Sequence, residues 1–332
     1  MNWLRDLQEI QVDLTSYCNA GCGTCARHED GTQQLQPLLK LQHFDYSVFE
    51  RLITKDLKET NITSVAFNGN WGDAVMHPDF LQLAELVSNS GLSLNVSTNG
   101  SIRNEKWWTK LASVLNKKSS VIFCLDGLED THHIYRRKTS YTKIIKNMRA
   151  FINAGGVAHW YMTVFNHNRH QIEEAEKLAK EYGCHKFVSR KSHESVIVFP
   201  DTVVKNDEVT KDDYGQNVFI FNQYYPEHTE SEDQKNSKCV FYKESQVQID
   251  PFGSVWPCCY ISQYRYGTDT ASHKPAPDVF LRDKTRADYL SLHNRTLKDI
   301  MTDYFYTKQL PDKIATGELY ACRDNCGVEK CQ

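Results

Sequence analysis

Residues 14–30 read LTSYCNAGCGTCARHED and hold Cys18, Cys22 and Cys25 at C-x3-C-x2-C spacing. Three thiols crowd one loop, directly after the alternating apolar residues Ile10, Val12 and Leu14, which predict a short strand. Soft thiolates select zinc and iron–sulfur clusters. In a cubane of four irons, three cysteines leave one iron without a protein ligand, open to a substrate or cofactor. The competing readings are a zinc knuckle and chance crowding in a chain with 11 cysteines.

Outward from this loop, strand and helix patterns alternate to about residue 190. Phe49, Leu52, Ile53 and Leu57 have helical spacing, and 63–68 reads as a buried strand. Pro78 opens a helix carrying Phe80, Leu81, Leu83 and Leu86, which Gly91 ends. Strand patterns follow at 92–97, 119–125, 157–165 and 187–189, with helices at 107–115, 144–152 and 171–182 between them. Six strand–helix repeats imply an α/β fold with a parallel sheet and helices outside. In such folds function gathers at the C-terminal strand ends.

The chain has 332 residues, which allows one large domain and a smaller one, and a 40% hydrophobic fraction sufficient for a core. A net charge of −3 suggests neither a nucleic-acid nor a membrane surface. The first residues, MNWLRDLQEI, lack the apolar run of a signal peptide, and no stretch approaches the roughly 20 apolar residues of a membrane span. A cytoplasmic location is expected, where clustered cysteines more often bind metal than form disulfides.

Motifs fall at the expected strand ends. After the second strand comes FNGNWGDAVMHPDF, 67–80; after the third, Ser97-Thr98-Asn99-Gly100; after the fourth, Asp126-Gly127-Leu128-Glu129 with His132, Tyr135 and Arg136; and after the fifth, Asn166-His167-Asn168. With the cysteine loop, this series resembles the radical S-adenosylmethionine (radical SAM) enzymes in content and order. The resemblance covers roughly 8–190 and 236–327. It implies a partial (β/α)6 barrel whose Cys18, Cys22 and Cys25 hold a [4Fe–4S] cluster, with SAM chelating the open iron. Gly72 and Asp73 take the Gly-Glu positions of the family's G-G-E-P segment, and Ala74 replaces its proline. Asp is one methylene shorter than Glu, so the loop's backbone carbonyls are the alternative contact for the SAM ammonium. The resemblance further implies SAM contacts from Ser97, Asn99, Asp126 and Asn168, and neutralisation of the SAM carboxylate by Arg136, the nearest match, with the adjacent Arg137 as the alternative. Thr24 stands where the family carries an aromatic residue against adenine.

Residues 191–237 break the pattern and read as a connecting segment or insertion, with an acidic run at 228–233 and aromatics at Phe219, Phe221, Tyr224 and Tyr225. Beyond it, Cys239, Gly253 and Cys258 stand in C-x13-G-x4-C order. Val247, Ile249 and Val255 predict a hairpin around a Pro-Phe-Gly turn, and Cys322, Cys326 and Cys331 follow. This resembles the small α+β auxiliary-cluster domains called SPASM and twitch. The cysteine count favours the one-cluster twitch form over 238–332. The implied ligands of a second [4Fe–4S] cluster are Cys239, Cys258, Cys322 and Cys326, with Cys259 and Cys331 as alternatives to Cys258 and Cys326. A four-cysteine zinc site is the rival at this end. Cys124 and Cys184 read as core residues.

The resemblance implies an oxidoreductase or transferase-type enzyme that cleaves SAM and abstracts hydrogen from its substrate. An external flavodoxin- or ferredoxin-like protein would supply electrons, and the auxiliary cluster would assist oxidation or crosslinking. A start about eight residues before the first strand leaves no room for a separate N-terminal peptide-recognition domain, which tilts the expected substrate toward a small sugar- or nucleotide-like molecule. A peptide is the alternative, and a zinc-stapled binding protein is the alternative of a different class.

Overall fold

The computed structural model describes residues 6–23, 25–29, 33–192, 196–199, 201–205, 216–220, 245–264, 289–316, 318–319 and 322. Six strands form in the expected places: β1 (Glu9–Val12), β2 (Ser64–Phe67), β3 (Ser93–Thr98), β4 (Ser120–Cys124), β5 (Ala158–Val164) and β6 (Lys186–Lys191). They pair in parallel in chain order, so the α/β partial (β/α)6 barrel is the observed architecture. The sheet does not close, because β1 and β6 pair with other strands at their outer edges.

Alternation along the strands separates two faces. Ile10, Val12, Leu94, Val96, Val121 and Phe123 are fully buried. They and their neighbours pack under helices α1 (Tyr46–Thr54), α2 (Phe80–Asn89), α3 (Glu105–Val114) and α4 (Tyr141–Asn153), with ring contacts such as Phe49–Phe67 and Trp108–Phe123. Each such side chain contributes about 1.5–3 kcal/mol by leaving water. Capping fixes where these helices begin. Asp45 accepts the amides of Ser47 and Val48 ahead of α1, and Asn104 accepts that of Trp107 ahead of α3. The concave face is polar near its N-terminal rim. Gln246 Nε2 donates to Glu9 Oε1 (2.9 Å), Ser64 Oγ to Glu9 Oε2 (2.7 Å), Asn95 Nδ2 to Ser64 Oγ (3.4 Å) and Ser120 Oγ to Asn95 Oδ1 (2.9 Å). This network pairs buried and half-buried polar groups across five strands.

Two findings depart from the sequence reading. The stretch expected only to connect contains three strands, β7 (Val196–Val198), β8 (Val203–Lys205) and β9 (Gln216–Ile220). β7 and β8 form a separate antiparallel hairpin, whereas β9 extends the main sheet beyond β6. β7 and β8 are three residues each and show no period, and β9 finds its partner in β6, well upstream, so local pattern does not announce it. The predicted C-terminal hairpin is present as β10 (Gln246–Ile249) and β11 (Val255–Trp256), and β10 lies parallel to β1, which makes it a seventh parallel strand. Helices Cys259–Tyr264, Leu297–Met301 and Leu310–Ala315 follow, the last after a π-helical turn. Among the described residues, no helix is long and apolar enough to cross a membrane.

Candidate active site at the C-terminal strand ends

The cysteine loop leaves β1 and is closed at its base by Arg27. This buried guanidinium donates to Ser16 O from Nε (3.2 Å) and Nη2 (2.8 Å), joining the two flanks of the motif. Ser16 in turn exchanges bonds with Lys40 O and Gln42. Trp71, Leu39, Ala26, Leu35 and Phe252 form a small apolar cluster that joins the loop to the β2 turn and the C-terminal hairpin. The three cysteines are half-buried and form no disulfide. Burial is the main influence on each thiol. It pushes Cys18 up to about 11, with Asp73 adding, and Cys22 up to about 12, against the pull of Arg136; Cys25 is also raised.

The β2 turn lies against this loop. Asp73 N donates to Tyr17 O (2.8 Å), and a Cβ on Gly72 would lie 2.3 Å from Thr15 O, so glycine is required for the close approach. The Asp73 carboxylate is buried and already committed. It accepts Thr98 Oγ1 at 3.0 Å, Asn99 N at 2.8 Å and Val75 N at 3.1 Å. Burial raises its pKa, while these donors oppose the rise. It therefore fastens the β2 turn to the end of β3. Asn99 completes the join, with Nδ2 donating to Asn19 Oδ1 (2.9 Å) and reaching Cys18 Sγ (3.9 Å). Ser97 lies half-buried on β3 at a position facing the barrel interior.

On the β4 side, Asp126 is fully buried and accepts Thr163 N (2.7 Å) and Arg136 Nε (2.6 Å). Burial works against the Arg136 charge, but Asp126 outweighs it and keeps the guanidinium protonated, with Cys124 and Cys22 also favouring the charge. Asn168 donates to Asp126 O (3.1 Å) and Thr163 O (2.9 Å) and accepts Phe165 N (2.7 Å), so its amide braces the β4 and β5 ends. His132 accepts Asp126 N and meets Thr139 Oγ1, and burial drops its pKa to about 4. His77 likewise has both ring nitrogens engaged, with Phe44 O and Asp79 N.

The structure thus brings Cys18, Cys22, Cys25, Gly72, Asp73, Asn99, Asp126 and Arg136 to one end of the sheet. Three further side chains contribute: Asp13, which the sequence reading missed, Arg27, whose position close after Cys25 suggests an exposed loop residue but which is buried, and Cys124, expected in the core. Asp13 is fully buried and accepts Asn70 N (3.0 Å), Asn70 Nδ2 (3.3 Å) and Gln248 Nε2, tying β1 to the β2 turn and to β10. Its signal was the polar parity of Glu9, Gln11 and Asp13. Arg27 closes the loop base. Cys124 is half-buried at the end of β4, where Asp73, Asp126 and Arg136 influence it; it is not a core residue, because its register places it on the concave face. Cys184 is a core residue, with its thiol 3.7 Å from Met148 Sδ.

At the other end, buried Cys258 accepts Ile261 N (3.4 Å), and half-buried Cys259 and Cys322 pack against the main core. Cys239, Cys326, Cys331, Thr24, Phe221, Tyr224, Tyr225 and the acidic run 228–233 lie outside the described residues, as does the Phe219 side chain. Among the described residues, no three His, Cys, Asp or Glu side chains converge as they would on one metal ion. A cubane assigns each thiolate its own iron, so its ligands stand farther apart than those of a single ion. Three soft thiols on one loop, with cationic Arg27 and Arg136 close by, fit such a cluster.

No family model matches the chain. A curated relative, the tungsten-containing aldehyde ferredoxin oxidoreductase cofactor-modifying protein of Pyrococcus furiosus, is 23% identical over 128 residues, which are 39% of this chain. The match spans about a third of that relative's length (33%). Among solved structures, Streptococcus suis SuiB bound to the precursor peptide SuiA aligns with TM-score 0.59 and 16% identity, covering 86% of this chain and 67% of SuiB. The enzyme anSMEcpe with bound S-adenosylmethionine aligns with TM-score 0.56 and 14% identity, covering 98% of this chain and 87% of that one. These likenesses establish the fold.

Proposed function

We propose that this chain is a radical SAM enzyme. The observation that carries the reading is the three-cysteine loop at the end of β1, with the β2 turn and Asn99 pressed against it on a fold shared with structures that bind S-adenosylmethionine. A [4Fe–4S] cluster held by Cys18, Cys22 and Cys25, when bound, supplies the electron that cleaves SAM and so generates a hydrogen-abstracting 5′-deoxyadenosyl radical. The chain's own residues do the rest. Arg27 and Trp71 hold the loop's shape, Asp73 locks the β2 turn, whose backbone carbonyls would take the SAM ammonium, and Ser97 and Asn99, at the end of β3, would offer hydrogen bonds. Arg136, aimed by Asp126, supplies the cation for the SAM carboxylate; a planar guanidinium suits that task. The buried setting excludes water from the reacting groups.

A second cluster on Cys239, Cys258, Cys322 and Cys326, in a twitch-like C-terminal region, belongs to the same proposal, as do an external electron donor and a cytoplasmic location. The substrate classes are two: small sugar- or nucleotide-like molecules, and peptides. SuiB bound to SuiA and anSMEcpe bound to the Cp18Cys peptide support the second.

The test is iron and sulfide per chain after anaerobic reconstitution, in wild type and in the Cys18/Cys22/Cys25→Ala variant. About eight irons falling to about four, with loss of 5′-deoxyadenosine formation, is the expected result. Zinc at both sites would overturn the enzyme reading and leave a stapled binding protein. Candidate substrates of both classes follow, read by hydrogen loss or crosslink mass.

A further inference from the structure

The motif C-N-A-G-C-G-T-C carries two glycines, and both meet distant parts of the chain. Gly21 N donates to Arg137 O at 2.9 Å. Gly23, between Cys22 and Cys25, lies under the β7–β8 hairpin. A Cβ there would come within 2.5 Å of Ile197 Cγ2 and 2.9 Å of Phe199 Cζ. Ile197 and Phe199 are almost wholly buried and share an apolar cluster with Phe165, against which Tyr135 and Val204 pack. The hairpin belongs to no other sheet, so this cluster is its main seat. Arg137 secures it: the guanidinium stacks 3.7 Å from the Phe199 ring centre and pairs with the exposed Asp201 in the hairpin turn.

We infer that the β7–β8 hairpin is a wall of the cysteine site, with Ile197 and Phe199 as its inner face and the Arg137–Phe199–Asp201 contact as its latch, and that it governs access of solutes to Cys22 and Cys25. The order of contacts argues for this. The segment 135–137 joins both partners: Arg137 stacks on the hairpin's Phe199, Tyr135 packs on the cluster that seats the hairpin through Phe165, and the Arg137 carbonyl holds the cysteine loop. Apolar side chains face the loop and the charged latch faces water, so small polar reagents meet the hairpin before they meet the thiols. The inference holds whichever metal group the loop takes, because it concerns the packing of the polypeptide.

The experiment measures alkylation of individual cysteines by N-ethylmaleimide, by peptide mass spectrometry, in the reduced, metal-free full-length chain. Phe199→Ala removes the inner face and the ring under Arg137; Cys22 and Cys25 should then react about tenfold faster. Asp201→Ala removes the exposed half of the latch and should raise the same rates about threefold, a difference that high salt abolishes. Cys184, in the core, should keep its wild-type rate in both. Unchanged rates at Cys22 and Cys25 in Asp201→Ala and Phe199→Ala overturn the inference. If Phe199→Ala also exposes Cys184, the chain has loosened as a whole and Asp201→Ala decides, since that side chain is 70% exposed. Failure to bind iron would refute the proposed enzyme without touching this result.

Discussion

Gly72→Ala is the substitution that most directly tests the construction of the site. The added methyl would stand 2.3 Å from Thr15 O, 2.6 Å from Tyr17 O and 2.9 Å from Ser16 C, and all three are backbone atoms that cannot rotate aside. Ordinary contact begins near 3.4 Å, so the β2 turn and the cysteine loop must part by roughly an ångström. Overpacking of this kind costs about 1–3 kcal/mol. The displacement also breaks the 2.8 Å bond from Asp73 N to Tyr17 O, worth about 1 kcal/mol net. Together the loss is about 2–4 kcal/mol. With a urea slope of about 3 kcal/mol per molar, the midpoint of unfolding should fall by about 1 M at unchanged slope. Gly91 supplies the comparison. It has φ +77 and nothing within 4 Å of a Cβ, so Gly91→Ala strains the backbone far from the cysteine loop and should leave iron loading intact. A Gly72→Ala protein with a wild-type midpoint and full iron content would refute the claim that the two loops are in contact.

Other expectations follow from the buried charges. Arg136→Met strands the Asp126 carboxylate without its cation and should destabilise by about 3–5 kcal/mol, with part recovered in the Asp126→Asn/Arg136→Met double variant; thermal unfolding checks both. Burial lifts the Asp13 pKa to about 7, against the donors Gln248 and Asn70. The folded chain therefore holds a proton that the unfolded chain releases near pH 4. The resulting stability is complete below that pH and is lost, at about 1.4 kcal/mol per unit, as pH rises to about 7. In Asp13→Asn that slope should vanish from urea midpoints measured between pH 4.5 and 7.5.

The repeating part of the fold was legible because each strand–helix unit is local. Helix α4 announces itself through Ile144, Met148 and Phe151, and β3 through its alternation. The cysteine loop was legible because soft ligands at close spacing have few other uses. What escaped the sequence is the long-range commitment of side chains. Nothing near Asp73 says that its carboxylate goes to Thr98 and Asn99, and nothing near Asp126 says that Arg136 and Thr163 N share it. Likewise β7 and β8 carry too few residues to show a period, and their packing on Gly23 depends on a neighbour more than 170 positions away. Cys124 was misread because a strand residue before an acidic turn has the same local pattern on either face of a sheet.

The pairing of β1 with β10 bears on the order in which the chain is made. Gln11 and Gln246, joined across that ladder, are 235 positions apart. During synthesis β1 therefore has its outer edge unpaired until residues near 249 leave the ribosome, although β2 to β6 can already assemble. An exposed parallel edge invites pairing with other chains, and long-range closure is slow. Asp13 also lacks its Gln248 donor until then, so the strand that leads into the cysteine loop is fixed last. A chain stopped before β10 would thus contain every cysteine of the first motif and still present them from an unsupported edge.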